Sequence, residues 1–124
     1  MLSEKFYEVL KNEGVVSIVS WGEGEPHIVN TWNSFIVVTE DQRLLMPAWA
    51  FRRTEKNIDI NQQVKIALGS KAVEGYNNYQ GTGFIINGTG RFISEGEDYD
   101  MMKEKFSFLT RVLEVTVTSA KQML

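Results

Sequence analysis

Two hydrophobic periods alternate along the chain and divide it into helices and strands. Residues 3–13 carry Phe6, Val9 and Leu10 on one stripe at helical spacing, with Ser3 placed to cap the start and Gly14 to end it. Residues 15–21, VVSIVSW, are rich in β-branched side chains and run into Gly22-Glu23-Gly24-Glu25-Pro26, a turn by composition, so a hairpin into residues 27–38 is expected. Thr39-Glu40-Asp41-Gln42 makes a second turn, and residues 43–47 read as a third strand that ends at Pro47, which has no N–H to give a ladder. The period then changes. Residues 51–61, FRRTEKNIDIN, read as a loop entering a short helix that starts near Arg53 or Thr54.

Val64, Ile66 and Leu68 alternate with Lys65 and Ala67 as a fourth strand. A glycine- and asparagine-rich loop at 74–81, EGYNNYQG, leads to a long strand over 82–93, where Gly88 and Gly90 on one face suggest a bend or a close approach. Ser94-Glu95-Gly96-Glu97 fits a capping box, and Tyr99, Met102, Phe106 and Leu109 follow at the spacing of an amphipathic helix. Leu113, Val115 and Val117 alternate with Glu114, Thr116 and Thr118 in the last strand. The pattern therefore predicts a mainly β chain of six strands with two or three short helices. Closure into a barrel is expected, since it buries one face and removes exposed edges. The 124 residues suit a single domain over 1–124, with no internal repeat or linker.

One stretch departs from this pattern. Residues 27–38, HIVNTWNSFIVV, are expected to form one strand, yet Asn30, Thr31, Asn33 and Ser34 put amides and hydroxyls on both faces around Trp32. Polar groups buried there without partners cost roughly 1–3 kcal/mol each, and a bound polar ligand is one way to supply partners.

Composition narrows the choice of ligand. A net charge of −3 argues against a general nucleic-acid binder, which needs a basic face. No apolar run approaches the roughly 20 residues that span a bilayer, and residues 1–14 lack the apolar core of a secretion signal, so a cytoplasmic protein without a membrane is expected. With no cysteine and one histidine, His27, thiolate chemistry and a multi-histidine zinc site are excluded.

Several candidate motifs have plain structural readings. Gly81-Thr82-Gly83 and Gly88-Thr89-Gly90 complete no phosphate-loop pattern and fit a bending strand. Glu95, Glu97, Asp98 and Asp100 fit the start of a helix, where acids are favoured, so no metal is expected. His27 has no orienting partner in sequence and reads as a surface or strand-edge residue, and Tyr76 and Tyr79 read as interface or loop packing; no catalytic residue is assigned. Arg52-Arg53-Thr54 is more informative. Two guanidinium groups and a hydroxyl at a helix start suit a phosphate, although a solvated face accounts for them equally. Trp32 and Pro47-Ala48-Trp49-Ala50 add flat apolar surface for an aromatic ligand with a phosphate tail, or else they belong to the core.

At these residues the chain resembles the small bacterial flavin mononucleotide (FMN)-binding proteins of the split-barrel class, relatives of pyridoxamine-phosphate oxidases and flavin reductases. The resemblance runs through FYEVLKNEGVV at 6–16, PHIVNTWNSF at 26–35, RRTEKN at 52–57, GTGF at 81–84 and VTSAKQML at 117–124. It implies a six-stranded antiparallel Greek-key split barrel that forms a homodimer with FMN in a groove near the interface. Carried over by position, Asn30, Thr31 and Trp32 would line the flavin, Pro47, Ala48, Trp49 and Ala50 would lie along the ring, and Arg53 and Thr54 would hold the phosphate. Phe108 and Leu124 correspond to groups that approach the ring from the partner subunit or the chain end. The chain departs from its resemblers at Trp49-Ala50, where they have small glycines, at Phe108, where they have tryptophan, and in a longer 74–81 loop. The function implied is transfer of electrons or hydride equivalents through FMN, with a redox partner protein or small-molecule donor. An oxidase-like or reductase-like enzyme is the first alternative, and a non-redox binding module for another ligand, such as haem, the second.

Overall fold

The computed structural model describes residues 1–124. Seven strands form one antiparallel sheet: β1 (Val15–Ser20), β2 (His27–Trp32), β3 (Val37–Val38), β4 (Arg43–Ala48), β5 (Gln63–Glu74), β6 (Gln80–Ile93) and β7 (Arg111–Met123), in the order β2-β1-β5-β6-β7-β4-β3. Three helices accompany them: α1 (Glu4–Leu10), α2 (Arg52–Ile60) and α3 (Glu97–Lys105).

The mainly β class is as expected, but the strand count is seven rather than six because residues 27–38 do not form one strand. β2 ends at Trp32, a 3₁₀ turn occupies Asn33–Phe35, and β3 follows. β2 pairs with β1 and β3 with β4, at opposite edges of the sheet. The two edges are joined by the turn itself and not by a ladder, so the curled sheet is a half-barrel and the expected closure does not occur. Asn33 is the cause. Its buried side-chain amide donates to the carbonyls of Asn12 (2.8 Å), Gly69 (3.0 Å) and Val9 (3.3 Å), drawing α1, β5 and the turn together.

Alternation along β1, β5, β6 and β7 sends Val16, Ile18, Val64, Ile66, Phe84, Ile86, Leu113 and Val115 into one core, which α1 covers with Phe6 and Val9. The Phe6 ring meets Phe84 edge-on at 5.3 Å. Ser3 caps α1, accepting from the Phe6 N–H at 3.2 Å. Gly88 marks an irregularity in the β6–β7 register, where a side chain would drive into the Thr116 carbonyl.

Two helix boundaries differ from expectation. α3 starts at Glu97 after Gly96, whose φ of 105° only glycine adopts readily, and no side chain caps it, so Ser94 builds no capping box. α3 also ends before Phe106 and Leu109. These two still pack with Tyr99 and Met102 against Leu45 and Val112, in a second small core. On the same face of the sheet as that core, and opposite Leu45 in the β4–β7 ladder, buried Glu114 accepts from both Arg43 and Arg91 (2.6 Å), and Arg43 also bonds Asp98 at the start of α3 (2.8 Å). These acids, Asp98 foremost, hold the Arg43 guanidinium above its already high ordinary range.

Candidate functional site

The sheet edge at β2 and the end of β4 enclose a cavity of about 170 Å³. Asn30, Thr31 and Trp32 come from β2, Pro47 from β4, and Trp49 and Ala50 from the segment that leaves β4; Phe108 closes one side. Three stretches remote in sequence therefore meet, and each contains residues expected at a flavin. These aromatic side chains are not core residues: Trp32 is 46 % exposed, Trp49 65 % and Phe108 48 %. Aromatic surface left open to this extent beside a cavity marks a binding face. The volume is below the roughly 300–1,000 Å³ of an enclosing small-molecule pocket, so one chain supplies a wall more than a container.

The polar centre of residues 27–38 divides into two roles. Asn33 and Ser34 serve the fold. Asn33 ties the turn to α1 and β5, while Ser34 donates its hydroxyl (2.7 Å) and its N–H (3.1 Å) to Glu13. Hydrogen bonding from Ser34, the hydroxyl foremost, lowers the Glu13 carboxyl below its ordinary range. Asn30 donates to Ser17 Oγ (2.9 Å) and the Val16 carbonyl (3.3 Å), which orients its amide oxygen, and it lines the cavity with Thr31.

From Ala50 and Phe51, both in left-handed conformation (φ 39° and 50°), the chain enters α2. No side chain caps this helix, so the N–H groups of its first turn are free to receive an anion. Thr54 sits inside that first turn and not at the cap, fully buried, and its hydroxyl has no hydrogen-bond partner. Arg53 is exposed beside it, while Glu55 takes Arg52 (3.9 Å) and Arg111 (3.1 Å) as its ion-pair partners.

The sequence features that define the pyridoxamine 5'-phosphate oxidase family match residues 2–124. An FMN-binding protein of Nitratidesulfovibrio vulgaris is 42 % identical over 124 residues, covering the whole of both chains. The chain belongs to the pyridoxamine 5'-phosphate oxidase family. Solved structures agree in fold at far lower identity. HupZ of Group A Streptococcus matches with a TM-score of 0.78 at 16 % identity over 99 % of this chain and 94 % of that one. An FMN-binding protein from Syntrophomonas wolfei matches with a TM-score of 0.70 at 13 % identity over 88 % of this chain and 76 % of that one. The curled half-barrel is thus the split barrel of the family.

Not every expected residue joins the cavity. Ala48 is fully buried in β4 behind the lining. Arg53 and Thr54 stand at the start of α2, beyond the left-handed turn and outside the cavity lining. Leu124 is elsewhere. With Tyr79 and Glu13 it lines a separate groove of about 540 Å³, where Tyr76 N–H and the Thr82 hydroxyl both donate to its carbonyl. His27 is half-buried at the far end of β2 and does not line the cavity.

Two lining residues, Phe35 and Phe51, were not singled out from the sequence. Each adjoins a stretch that was, Phe35 three positions after Trp32 and Phe51 directly after Trp49-Ala50, and that proximity was the available signal. Phe35 also forms a three-ring cluster with Phe106 (5.3 Å) and Phe108 (5.7 Å), which fixes Phe108 at the cavity edge.

These groups fit FMN. The partnerless Thr54 hydroxyl, the uncapped helix start and Arg53 make a donor set for a phosphate. The cavity next to it is lined by aromatic rings with two polar side chains, as a planar ring with polar edges requires.

Proposed function

We propose that this protein binds FMN and works as a carrier of electrons or hydride equivalents. The observation that carries the proposal is the buried, partnerless hydroxyl of Thr54 at a free helix start, one short turn from an aromatic cavity. When bound, FMN supplies the redox chemistry, and the protein tunes it through packing and hydrogen bonds. Arg53, Thr54 and the first-turn N–H groups of α2 hold the phosphate. Asn30 and Thr31 bond the ring's polar edge, and Trp32, Pro47, Trp49 and Phe108 pack against its faces and exclude water. The cavity lining has no ionisable side chain, which favours a carrier over an enzyme with its own acid or base.

The reading includes a homodimer in the cytoplasm, with a redox partner protein or a small-molecule donor. The cavity is only a wall, and Val15, Ile28 and Trp32 expose apolar surface on neighbouring strands, which supports a second copy as the other wall. Leu124, distant from the cavity of its own chain, would then reach the cavity of the partner.

Titrating the apoprotein with FMN and with riboflavin tests the phosphate half directly. FMN binding should be about a hundredfold tighter than riboflavin binding, and Arg53→Ala should remove most of that difference. Equal affinity for the two flavins in the wild type would mean that α2 holds no phosphate.

A further inference from the structure

Left-handed backbone at two successive non-glycine residues is uncommon, and Ala50 and Phe51 both adopt it, with φ of 39° and 50°. Phe51 is the N-cap of α2 but gives it no side-chain bond, so the turn does not hold itself in place. The ties come from the start of β7. Thr110 donates its N–H (2.9 Å) and its hydroxyl (3.3 Å) to the carbonyl of Ala48. Arg111 donates from Nη2 to the carbonyl of Ala50 at 2.6 Å, and the same nitrogen lies 3.1 Å from Glu55 in the first turn of α2. Its Nη1 donates to Thr110 Oγ1 at 2.6 Å, and the guanidinium carbon stands 5.2 Å from the centre of the Phe92 ring. The Arg111 side chain is 11 % exposed, and its backbone is paired opposite Ala48 in the β4–β7 ladder.

We infer that Arg111 is a positioning residue: by donating to the Ala50 carbonyl while ion-paired with Glu55, its guanidinium sets the 49–51 turn, and so fixes where Trp49 stands relative to the start of α2. The inference rests on the FMN reading above, in which that turn joins the ring end of the site to the phosphate end. A guanidinium suits the task because its rigid fork holds the Thr110 hydroxyl on Nη1 and the Ala50 carbonyl on Nη2 in a fixed relation, which an ammonium on a flexible stem does not. It also neutralises Glu55, whose carboxylate in the first turn would otherwise repel a phosphate.

Backbone ¹³C shifts of Ala50 and Phe51 in the apoprotein, read together with FMN titrations, test this in Arg111→Ala, Arg111→Lys and their combinations with Ala50→Gly. In Arg111→Ala the two residues should leave the left-handed shift range while β7 keeps its strand shifts, and FMN affinity should fall about tenfold. Arg111→Lys should fall between. Ala50→Gly should help binding about threefold more in the Arg111→Ala background than in the wild type, because glycine holds a left-handed turn without a tether. Unchanged shifts in Arg111→Ala would overturn the inference, as would equal effects of Ala50→Gly in both backgrounds. A wild-type chain that took up no FMN would instead remove the functional reading, and the shifts would still decide whether Arg111 sets the turn.

Discussion

The Asn33 side chain donates to the carbonyl of Gly69, 3.0 Å away and 36 positions along the chain, and this bond anchors the 3₁₀ turn that divides an expected strand into two. With the bonds to Asn12 and Val9 it makes Asn33 a structural residue, not a ligand contact. Asn33→Leu takes a donor from the Asn12 and Gly69 carbonyls, while the Val9 carbonyl keeps the Asn12 N–H and the partnerless Asn33 Oδ1 is lost, so we predict a net loss of about 1–3 kcal/mol in urea unfolding, with FMN affinity of the folded fraction unchanged. A variant as stable as the wild type would contradict this assignment.

The same residue shows where sequence reasoning reached its limit. Strands with one buried face declare themselves by alternation, and β7 was legible from Leu113 to Thr118 for that reason. Asn33 has partners at Val9, Asn12 and Gly69, and no local pattern announces contacts so remote. The capping box at Ser94 failed because Gly96 turns the chain first, at φ 105°. At the site, residue types that bind aromatic and phosphate groups were legible one stretch at a time, at Trp32, at Trp49 and at Thr54. That Thr31 and Trp32 meet Trp49 and Phe108 in one cavity, and that Leu124 does not join them, needed the sheet order.

Thr54 carries a buried hydroxyl that the fold does not use, which separates stability from binding. Thr54→Val replaces it with a methyl group of similar size and removes an unsatisfied polar atom. The apoprotein should become more stable by about 1 kcal/mol, and FMN affinity should fall about tenfold. Thermal melting with and without FMN reads both effects. A variant destabilised in the apo form would show that the hydroxyl serves the fold.

Trp49 is exposed, so the fold gains little from it. Trp49→Ala should change apoprotein stability by less than about 0.5 kcal/mol, yet weaken FMN binding about three- to tenfold through lost ring packing. Flavin fluorescence titration measures the loss. An unchanged affinity would place Trp49 away from the ring.

Glu13 sets one acid dependence. Its carboxyl is lowered from an ordinary value of 4.5 by the hydrogen bonds from Ser34. A lowered folded-state value means that the stabilisation is fully present above that ordinary value and disappears as pH falls through the lowered one. Melting curves taken through this acid range should therefore decline less steeply for Glu13→Gln than for the wild type. Parallel declines would show that the Glu13–Ser34 bonds contribute no pH dependence.

On the proposed function, the Thr54 end of α2 and the Trp32 cavity form one FMN site. The absorption spectrum of the protein as purified, followed by removal of the flavin and titration with FMN, tests it most directly. A flavin spectrum, with stoichiometric re-uptake of one FMN per chain and flavin fluorescence quenched on binding, is the expected result. A colourless protein whose apo form takes up no FMN would contradict the account.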